Sequence, residues 1–295
     1  MGRACYDPRS MPQPTPNPPL PVRIGHSPDA DDAFMFYALA ARKVETGPYG
    51  VEEVMADIET LNRMALEGRL EVTALSVHAY PFLRQRYWLM PCGASLGDGY
   101  GPCVVARRVF DRDALREAII AIPGALTSAA LALRLYLGEH RTRVMPFDRI
   151  LPAVEAGEVE AGLIIHEGQL TYSSLGMSLV VDLGAWWKRE TGLPLPLGLN
   201  AVRQDLGLET ARALTRILRA SVEYGLAHRR EALEHALPYA RGLDRERVDR
   251  FVGMYVNNFT VELGSIGRQA VRAFLNAGLR AGAFAGEVEP EFVET

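Results

Sequence analysis

The segment AIIAIPGALTSAALALRLYL, residues 118–137, indicates the class of fold more clearly than any other part of the sequence. Residues 118–122 form an apolar run with the length of a buried strand, and Pro123 and Gly124 interrupt it. Residues 127–137 then carry apolar side chains at helical spacing, and Thr127 is suited to cap the first turn. A buried strand, a short turn and a helix in this order are the basic unit of an α/β fold.

The same alternation extends from this segment in both directions. Strands are predicted at 22–27, 51–56, 72–76, 87–90, 103–107, 144–146, 159–165 and 179–183. Helices are predicted at 30–44, from about 57 to 66, and at 78–84, 150–156, 208–224, 230–240, 244–255 and 264–281. We therefore expect an α/β fold with largely parallel sheets and a helical last third.

Two stretches rich in glycine and proline, near 93–102 and 191–203, bracket the middle of the chain. A chain that leaves one lobe, builds a second lobe and returns would show this arrangement. We expect lobe 1 to comprise residues 22–107 and 201–295, lobe 2 to comprise residues 108–200, and residues 1–21 to be a disordered, proline-rich tail. A ligand would bind in the cleft between the lobes, where strand ends and helix N-termini converge.

Composition excludes several classes of protein. The 295 residues carry a net charge of −4, whereas nucleic-acid-binding domains usually have a basic surplus. The three cysteines include no CxxC pair, so neither a disulfide framework nor a structural zinc site is expected. No apolar run approaches the roughly 18 residues of a membrane span, and the tail lacks the apolar core of a signal peptide. We expect a cytoplasmic protein with no nucleic-acid or membrane partner.

His166 and Glu167 are the most informative candidate site residues, because they follow the predicted strand 159–165 at the expected cleft. A histidine can accept a proton near neutral pH. Glu167 could orient the imidazole or simply face solvent, and a purely structural histidine is the alternative interpretation. The spacing HExxH is absent, so a zinc site is not indicated.

Other strand ends supply candidate ligand groups. Thr127 and Ser128 open a helix whose N–H groups and dipole suit a carboxylate or phosphate, although simple capping would explain the same residues. In the segment SPDADD, residues 27–32, we expect one acid to cap the following helix and another to face the cleft. Ser76 ends a further strand.

Gly93-Ala94-Ser95-Leu96-Gly97 has the spacing of a nucleophile elbow, but that motif requires a helix directly afterwards. Glycines and Pro102 follow instead, which disfavours a serine hydrolase and favours a crossing that lines the cleft. The sequence contains neither a Walker motif nor a GxGxxG motif after a strand, so a nucleotide cofactor is not indicated.

Seven segments occur in an order that resembles the 1,4-dihydroxy-6-naphthoate synthases, a family of the futalosine route to menaquinone. They are SPDADDAFMFYAL (27–39), DIETLNRMALEG (57–68), GASLGDGYGP (93–102), IPGALTSAAL (122–131), GEVEAGLIIHEGQLTY (157–172), DLGAWWKRETGLPLPLG (182–198) and MYVNNFT (254–260). So many ordered segments make the resemblance far more specific than any single motif.

The resemblance implies two α/β lobes around a cleft, as in type II periplasmic binding proteins. It implies a lyase that cleaves cyclic dehypoxanthinyl futalosine to 1,4-dihydroxy-6-naphthoate and a three-carbon fragment, dihydroxyacetone, without a metal or organic cofactor. His166 would be the proton acceptor. The predicted substrate-binding residues are Ser27, Asp32, Ser76, Thr127 and Ser128, together with backbone groups of Ala74, Leu75 and Ala129. Many members read SPCPNDTF where this chain reads SPDADDAF, which leaves the roles of Asp29 and Asp32 open.

Two alternatives remain at the level of sequence. One is a chorismate dehydratase-like lyase of the same pathway, and the other is a non-catalytic protein that binds a small molecule. The predicted partner is in every case a small molecule, here a carboxylate, and the sequence does not indicate whether the protein is a monomer or a homodimer.

Overall fold

A computed structural model describes residues 18–294 and shows two β-sheets enclosed by helices. The strands are β1 (Leu20–His26), β2 (Tyr49–Met55), β3 (Val72–Ser76), β4 (Tyr87–Leu89), β5 (Ser95–Gly97), β6 (Cys103–Ala106), β7 (Ile119–Ile122), β8 (Arg141–Val144), β9 (Ala161–Ile164), β10 (Ser178–Asp182) and β11 (Leu195–Arg203). The helices are α1 (Ala30–Ala40), α2 (Ile58–Leu66), α3 (Arg112–Glu117), α4 (Ser128–Leu137), α5 (Phe147–Ala156), α6 (Leu183–Thr191), α7 (Leu208–Ala227), α8 (Arg229–Ala236), α9 (Arg245–Tyr255), α10 (Asn258–Val261) and α11 (Gly264–Arg280).

Both sheets mix parallel and antiparallel strands, so the prediction of largely parallel sheets is wrong in part. The first sheet has the order β2-β1-β3-β11-β4, with β5 also paired to β11. The second has the order β10-β6-β9-β7-β8. In each sheet the central βα units give parallel pairs, whereas β11 and β6 pair antiparallel with their neighbours. These two strands lie where the chain passes between the sheets, and an antiparallel strand needs no crossover helix.

Strand β11 is the main element that sequence reasoning missed. It lies within the stretch 191–203 that was predicted to be a crossing, because its prolines and glycine disfavour a strand. The structure accommodates them at an irregularity, since the register of β11 against β5 shifts between Pro196 and Gly198. β11 thereby brings Leu197 to Asn200 to the centre of the first sheet.

The sheet membership of the strands bears on the predicted boundaries of the tail and of the two lobes. Of the predicted tail, residues 1–17 lie outside the described residues, but Leu20 and Pro21 pair with Tyr49 and Gly50 in the first sheet, so the fold begins before Val22. β6 belongs to the second sheet and all of β11 to the first. We propose lobe limits that follow this membership, with crossings between β5 and β6 and between α6 and β11.

The two sheets share one apolar core through α4. Leu131 and Leu133 of α4 are fully buried in the same cluster as Leu199 of β11 and Phe274 of α11. This packing fixes the N-terminus of α4 against the first sheet and thereby positions one wall of the cavity described next.

Candidate functional site

A cavity that opens to solvent is lined by residues from the parts of the chain that form the two sheets. Seven of the residues predicted to bind substrate line it: Ser27, Asp32, Ala74, Ser76, Thr127, Ser128 and Ala129. The other lining residues are Asp29, Asp31, Ile58, Gly93, Ser95, Pro102, Ile165, Leu197, Gly198, Leu199, Asn200 and Tyr255.

The predicted contribution of Leu75 to substrate binding is that of its backbone groups, and it stays a prediction. Successive side chains of a strand point to opposite faces of the sheet. Ala74 and Ser76 of β3 therefore line the cavity, whereas the Leu75 side chain is fully buried in the core and is not part of the cavity wall.

Ser76 is held by a residue that the sequence did not single out. The Asn62 side chain of α2 donates to Ser76 Oγ (3.0 Å) and accepts from the Ser76 backbone N–H (2.9 Å). Asn62 is completely buried. Because Ser76 Oγ accepts from Asn62, its own hydroxyl proton remains free to be donated into the cavity.

The N-terminus of α4 offers backbone N–H groups more than hydroxyls. Thr127 is the N-cap, one of the two residues that the capping interpretation allowed: its Oγ1 accepts from the Ala130 N–H (3.2 Å) and donates to the Gly124 carbonyl (2.9 Å). Ser128 Oγ donates to the Leu197 carbonyl (2.5 Å) and accepts from the His78 N–H (3.3 Å). The first-turn N–H groups, which have no partner within a helix, are the groups suited to an anion here.

Three carboxyl groups, those of Asp29, Asp31 and Asp32, also line the cavity. Burial raises the pKa of Asp29 to about 7, and the charges of Asp32 and Glu167 add to the effect. Burial likewise raises the pKa of Asp31 well above the usual range, and that of Asp32, whose Oδ2 accepts from the Ser27 N–H (2.6 Å). Raised carboxyl pKa values in a cavity are typical of functional sites, because structural carboxylates are usually ionised and paired.

The prediction that one of these acids caps α1 is wrong. Asp29 occupies the N-cap position but makes no capping hydrogen bond. Glu167, from beyond the end of β9, provides the cap instead, since its Oε1 accepts from the Ala30 N–H (3.1 Å). Glu167 is 2% exposed, so the interpretation in which it faces solvent is also wrong.

His166 lies beside the cavity, in a smaller compartment that shares Ser27, Asp29, Ile58 and Ile165 with the main one. Its Nδ1 accepts from the Gly168 N–H (3.1 Å), so Nε2 carries the proton and donates to the Phe147 carbonyl at 3.2 Å. Burial lowers the pKa of His166, Arg241 lowers it further, and Glu167 opposes both. The imidazole is therefore neutral at neutral pH, as a general base must be.

Asn200 and Tyr255 are cavity residues that sequence reasoning did not identify. Asn200 is 1% exposed; its Nδ2 donates to the Gly93 carbonyl (2.8 Å), but its Oδ1 has no partner among residues 18–294. A buried carbonyl oxygen without a partner is costly unless a ligand supplies a donor. Tyr255 donates to Gln169 Oε1 (2.8 Å). The sequence signals were weak, because Asn200 lies on the unpredicted β11 and Tyr255 is the last residue of the predicted helix 244–255.

Ser95 lines the cavity from the short strand β5, in agreement with the predicted cleft-lining role of this stretch and not with a nucleophile elbow. Within residues 18–294 no group of three His, Cys, Asp or Glu side chains is placed to hold a metal ion. In the same range no helix is long and apolar enough to cross a membrane.

Comparison with proteins of known structure identifies the fold. The chain superposes on the ligand-binding component of an ABC-type import system from Staphylococcus aureus with a TM-score of 0.71 at 12% identity, covering 93% of this chain and 96% of that one. A Candida albicans protein described as having the generic periplasmic binding protein fold also gives 0.71, at 11% identity, with coverage of 93% and 97%. The predicted two-lobed fold of the periplasmic-binding-protein type is thereby confirmed.

More similar proteins identify the family. A family model described as menaquinone biosynthesis matches residues 22–279. The chain is 47% identical over 273 residues to a 1,4-dihydroxy-6-naphthoate synthase of Thermus thermophilus, covering 92% of this chain and 99% of the relative. It is 36% identical over 267 residues to a protein of the same name from Streptomyces coelicolor, with coverage of 88% and 94%. The match spans both sheets and the cavity between them, and the chain therefore belongs to the menaquinone biosynthesis family, among the 1,4-dihydroxy-6-naphthoate synthases.

Proposed function

We propose that the protein is a lyase that converts cyclic dehypoxanthinyl futalosine to 1,4-dihydroxy-6-naphthoate and dihydroxyacetone in menaquinone biosynthesis. The observation that carries this proposal is the neutral, buried His166 beside a cavity that also contains the first turn of α4. That combination supplies a proton acceptor and an anion site for one small carboxylate. The names of the two similar proteins agree with it.

The groups that line the cavity favour one orientation of the substrate. The substrate carboxylate would bind at the N-terminus of α4, where Ser128 and Ala129 begin the helix and the dipole favours negative charge. The carboxyl groups of Asp29, Asp31 and Asp32 have raised pKa values, which favour the neutral form that can both donate and accept hydrogen bonds. These groups and Asn200 Oδ1 would bind the hydroxyl-bearing part of the substrate.

His166 would remove a proton from the carbon skeleton of the substrate, and a retro-aldol-like cleavage would release the three-carbon fragment. Aromatisation of the remaining bicycle would drive the reaction forward. Both imidazole nitrogens have backbone partners in this structure, so one of these hydrogen bonds must give way when substrate binds. Closure of the lobes would exclude water and align the imidazole with the bond that breaks.

We extend the proposal to cofactors, partners and cellular location. The scheme requires no metal or organic cofactor, and its partner is the carboxylate substrate alone, without nucleic acid or membrane. A cytoplasmic location suits a biosynthetic enzyme with such a substrate.

The test is incubation of the purified protein with cyclic dehypoxanthinyl futalosine and, separately, with chorismate, with products measured by mass spectrometry. We expect equal amounts of 1,4-dihydroxy-6-naphthoate and dihydroxyacetone from the first and no reaction with the second. Turnover of chorismate would instead identify a chorismate dehydratase-like lyase. Binding of the first compound without product, by a folded protein, would identify a binding protein.

A further inference from the structure

Arg241 lies outside the cavity wall but connects three parts of the site. Its Nη1 donates to Glu167 Oε2 (2.6 Å), and its Nη2 donates to the Pro28 carbonyl (3.0 Å). Its guanidinium also lies over the Phe147 ring, 4.5 Å from the centroid. Pro28 precedes α1 beside the first sheet, whereas Glu167 and Phe147 belong to the second-sheet part of the chain. A planar guanidinium can make these contacts at once, which a lysine ammonium cannot.

Glu167 is the residue through which Arg241 reaches the catalytic histidine. One carboxylate oxygen caps α1 at the Ala30 N–H, and the other lies between Arg241 Nη1 and His166 Nδ1, 3.8 Å from the imidazole nitrogen. The side chain is 2% exposed, and a buried carboxylate requires a cation or several donors. Arg241 supplies the cation.

The backbone of Arg241 is in the left-handed region, with φ of 49°, which residues other than glycine rarely adopt. Such a conformation persists only where surrounding contacts hold it, and it is concentrated at functional sites. The three contacts of the guanidinium are contacts of this kind.

We propose that Arg241 is a positioning residue: it holds Glu167, and with it the segment that carries His166, against the N-terminus of α1, in the arrangement in which the imidazole meets the substrate. The catalytic part of this inference rests on the proposed function, whereas the structural part does not. The charged and titratable groups that face His166 are Glu167, Arg241, Asp148 of α5, and Asp29 and Asp57 at the small compartment. Arg241 is the cation in this set.

The first test is hydrogen exchange at the Ala30 amide in Arg241→Gln, with Arg245→Gln as the matched control. Arg245, at the start of α9, is exposed and pairs with Glu234 of α8 at 3.8 Å. We expect exchange at Ala30 to accelerate at least tenfold in Arg241→Gln and to remain at the wild-type rate in Arg245→Gln. Unchanged exchange in Arg241→Gln would overturn the proposal, and this measurement needs no substrate.

The second test is the pH profile of kcat/KM with cyclic dehypoxanthinyl futalosine. Loss of Arg241 removes a cation that lowers the pKa of His166 and frees Glu167, which raises it, so the acid limb should move to higher pH. We expect about a tenfold loss of kcat/KM at neutral pH, partly restored in Arg241→Lys. A uniform loss with the acid limb at its wild-type position would overturn the positioning role.

The two tests separate the failure of this inference from that of the proposed function. If the wild-type protein forms no naphthoate, the proposed function is wrong. Hydrogen exchange at the Ala30 amide then still shows whether Arg241 holds Glu167 against the N-terminus of α1. Should Arg241→Gln not fold, Glu167→Gln provides the second variant, because it keeps an acceptor for Ala30 and loses the charge. In Glu167→Gln we expect faster hydrogen exchange at the Ala30 amide and an acid limb of kcat/KM that is shifted to lower pH. No change in either measurement would refute the positioning role of the Arg241–Glu167 pair.

Discussion

Burial of the Asp29 carboxyl group at this site lowers the stability of the folded protein near neutral pH. Its carboxyl group lies between the two compartments, accepts from Ser27 Oγ (2.8 Å), and has its pKa raised to about 7, chiefly by burial. A carboxyl group whose pKa is higher in the folded than in the unfolded state takes up a proton on folding. This uptake occurs at pH values that lie between the two pKa values. The contribution of the Asp29 carboxyl group therefore becomes unfavourable as pH rises from about 4 to about 7.

Asp29→Asn should stabilise the protein more at pH 8 than at pH 5, because the amide has the shape of the protonated acid but cannot ionise. We expect the gain in the free energy of unfolding to be larger at pH 8 than at pH 5 by about 2–3 kcal/mol, since the cost of the carboxylate grows as pH rises from about 4 to about 7. Denaturant titrations at the two pH values measure it, with Asp113→Asn on the exposed side of α3 as the control. An effect of equal size at pH 5 and pH 8 would contradict the raised pKa.

At the scale of elements, the turn after β9 determines how the histidine is presented. The N–H of Gly168 donates to His166 Nδ1, and the backbone there is packed closely. A Cβ on Gly168 would lie 2.9 Å from Ile164 Cγ2 and Leu151 Cδ1 and 3.0 Å from His166 Cε1. A side chain at this position would therefore displace the imidazole.

Gly168→Ala should lower kcat at least tenfold while destabilising the protein by about 1–3 kcal/mol, the usual cost of overpacking a core. The matched control is Gly253→Ala within α9, where the nearest atom would be 3.5 Å from the new Cβ. That substitution should stabilise the helix slightly and leave kcat at its wild-type value. Steady-state kinetics and thermal unfolding of both variants check this, and full activity in Gly168→Ala would contradict the packing argument.

The elements that local patterns determine could be predicted from the sequence, and those that tertiary contacts determine could not. Thr127 as the cap of α4 follows from residue type and position alone. The placement of β11 and the capping of α1 by Glu167, 137 residues away from Ala30, depend on partners distant in sequence. His166 was found because strand ends can be predicted, whereas Arg241 lies in a loop with no motif around it.

At the scale of the whole molecule, the two sheets are joined differently on the two sides of the cavity. Around α4 they share an apolar core, which orders the anion site. Around His166 the links include polar ones, from Glu167 to the Ala30 N–H and from Arg241 to Glu167 and Pro28. Separate polar links exchange with water more readily than a continuous core, so we expect the His166 side to move when substrate enters.

The family relationship explains why this architecture carries a reaction. Proteins with the same fold and 12% identity are components of import systems, so the fold alone does not determine the activity. Here a helix N-terminus suited to an anion and protonatable carboxyl groups line one cavity, and a histidine lines the compartment beside it. The proposed reaction therefore depends on His166 acting as the base.

The most direct test is kcat for His166→Ala with cyclic dehypoxanthinyl futalosine, measured beside the wild-type protein, with substrate affinity determined by calorimetry. We expect a loss of about 10²–10⁴-fold in kcat, with the affinity for substrate retained within severalfold, because a general base acts in the transition state. Turnover near the wild-type rate would show that His166 is not the proton acceptor.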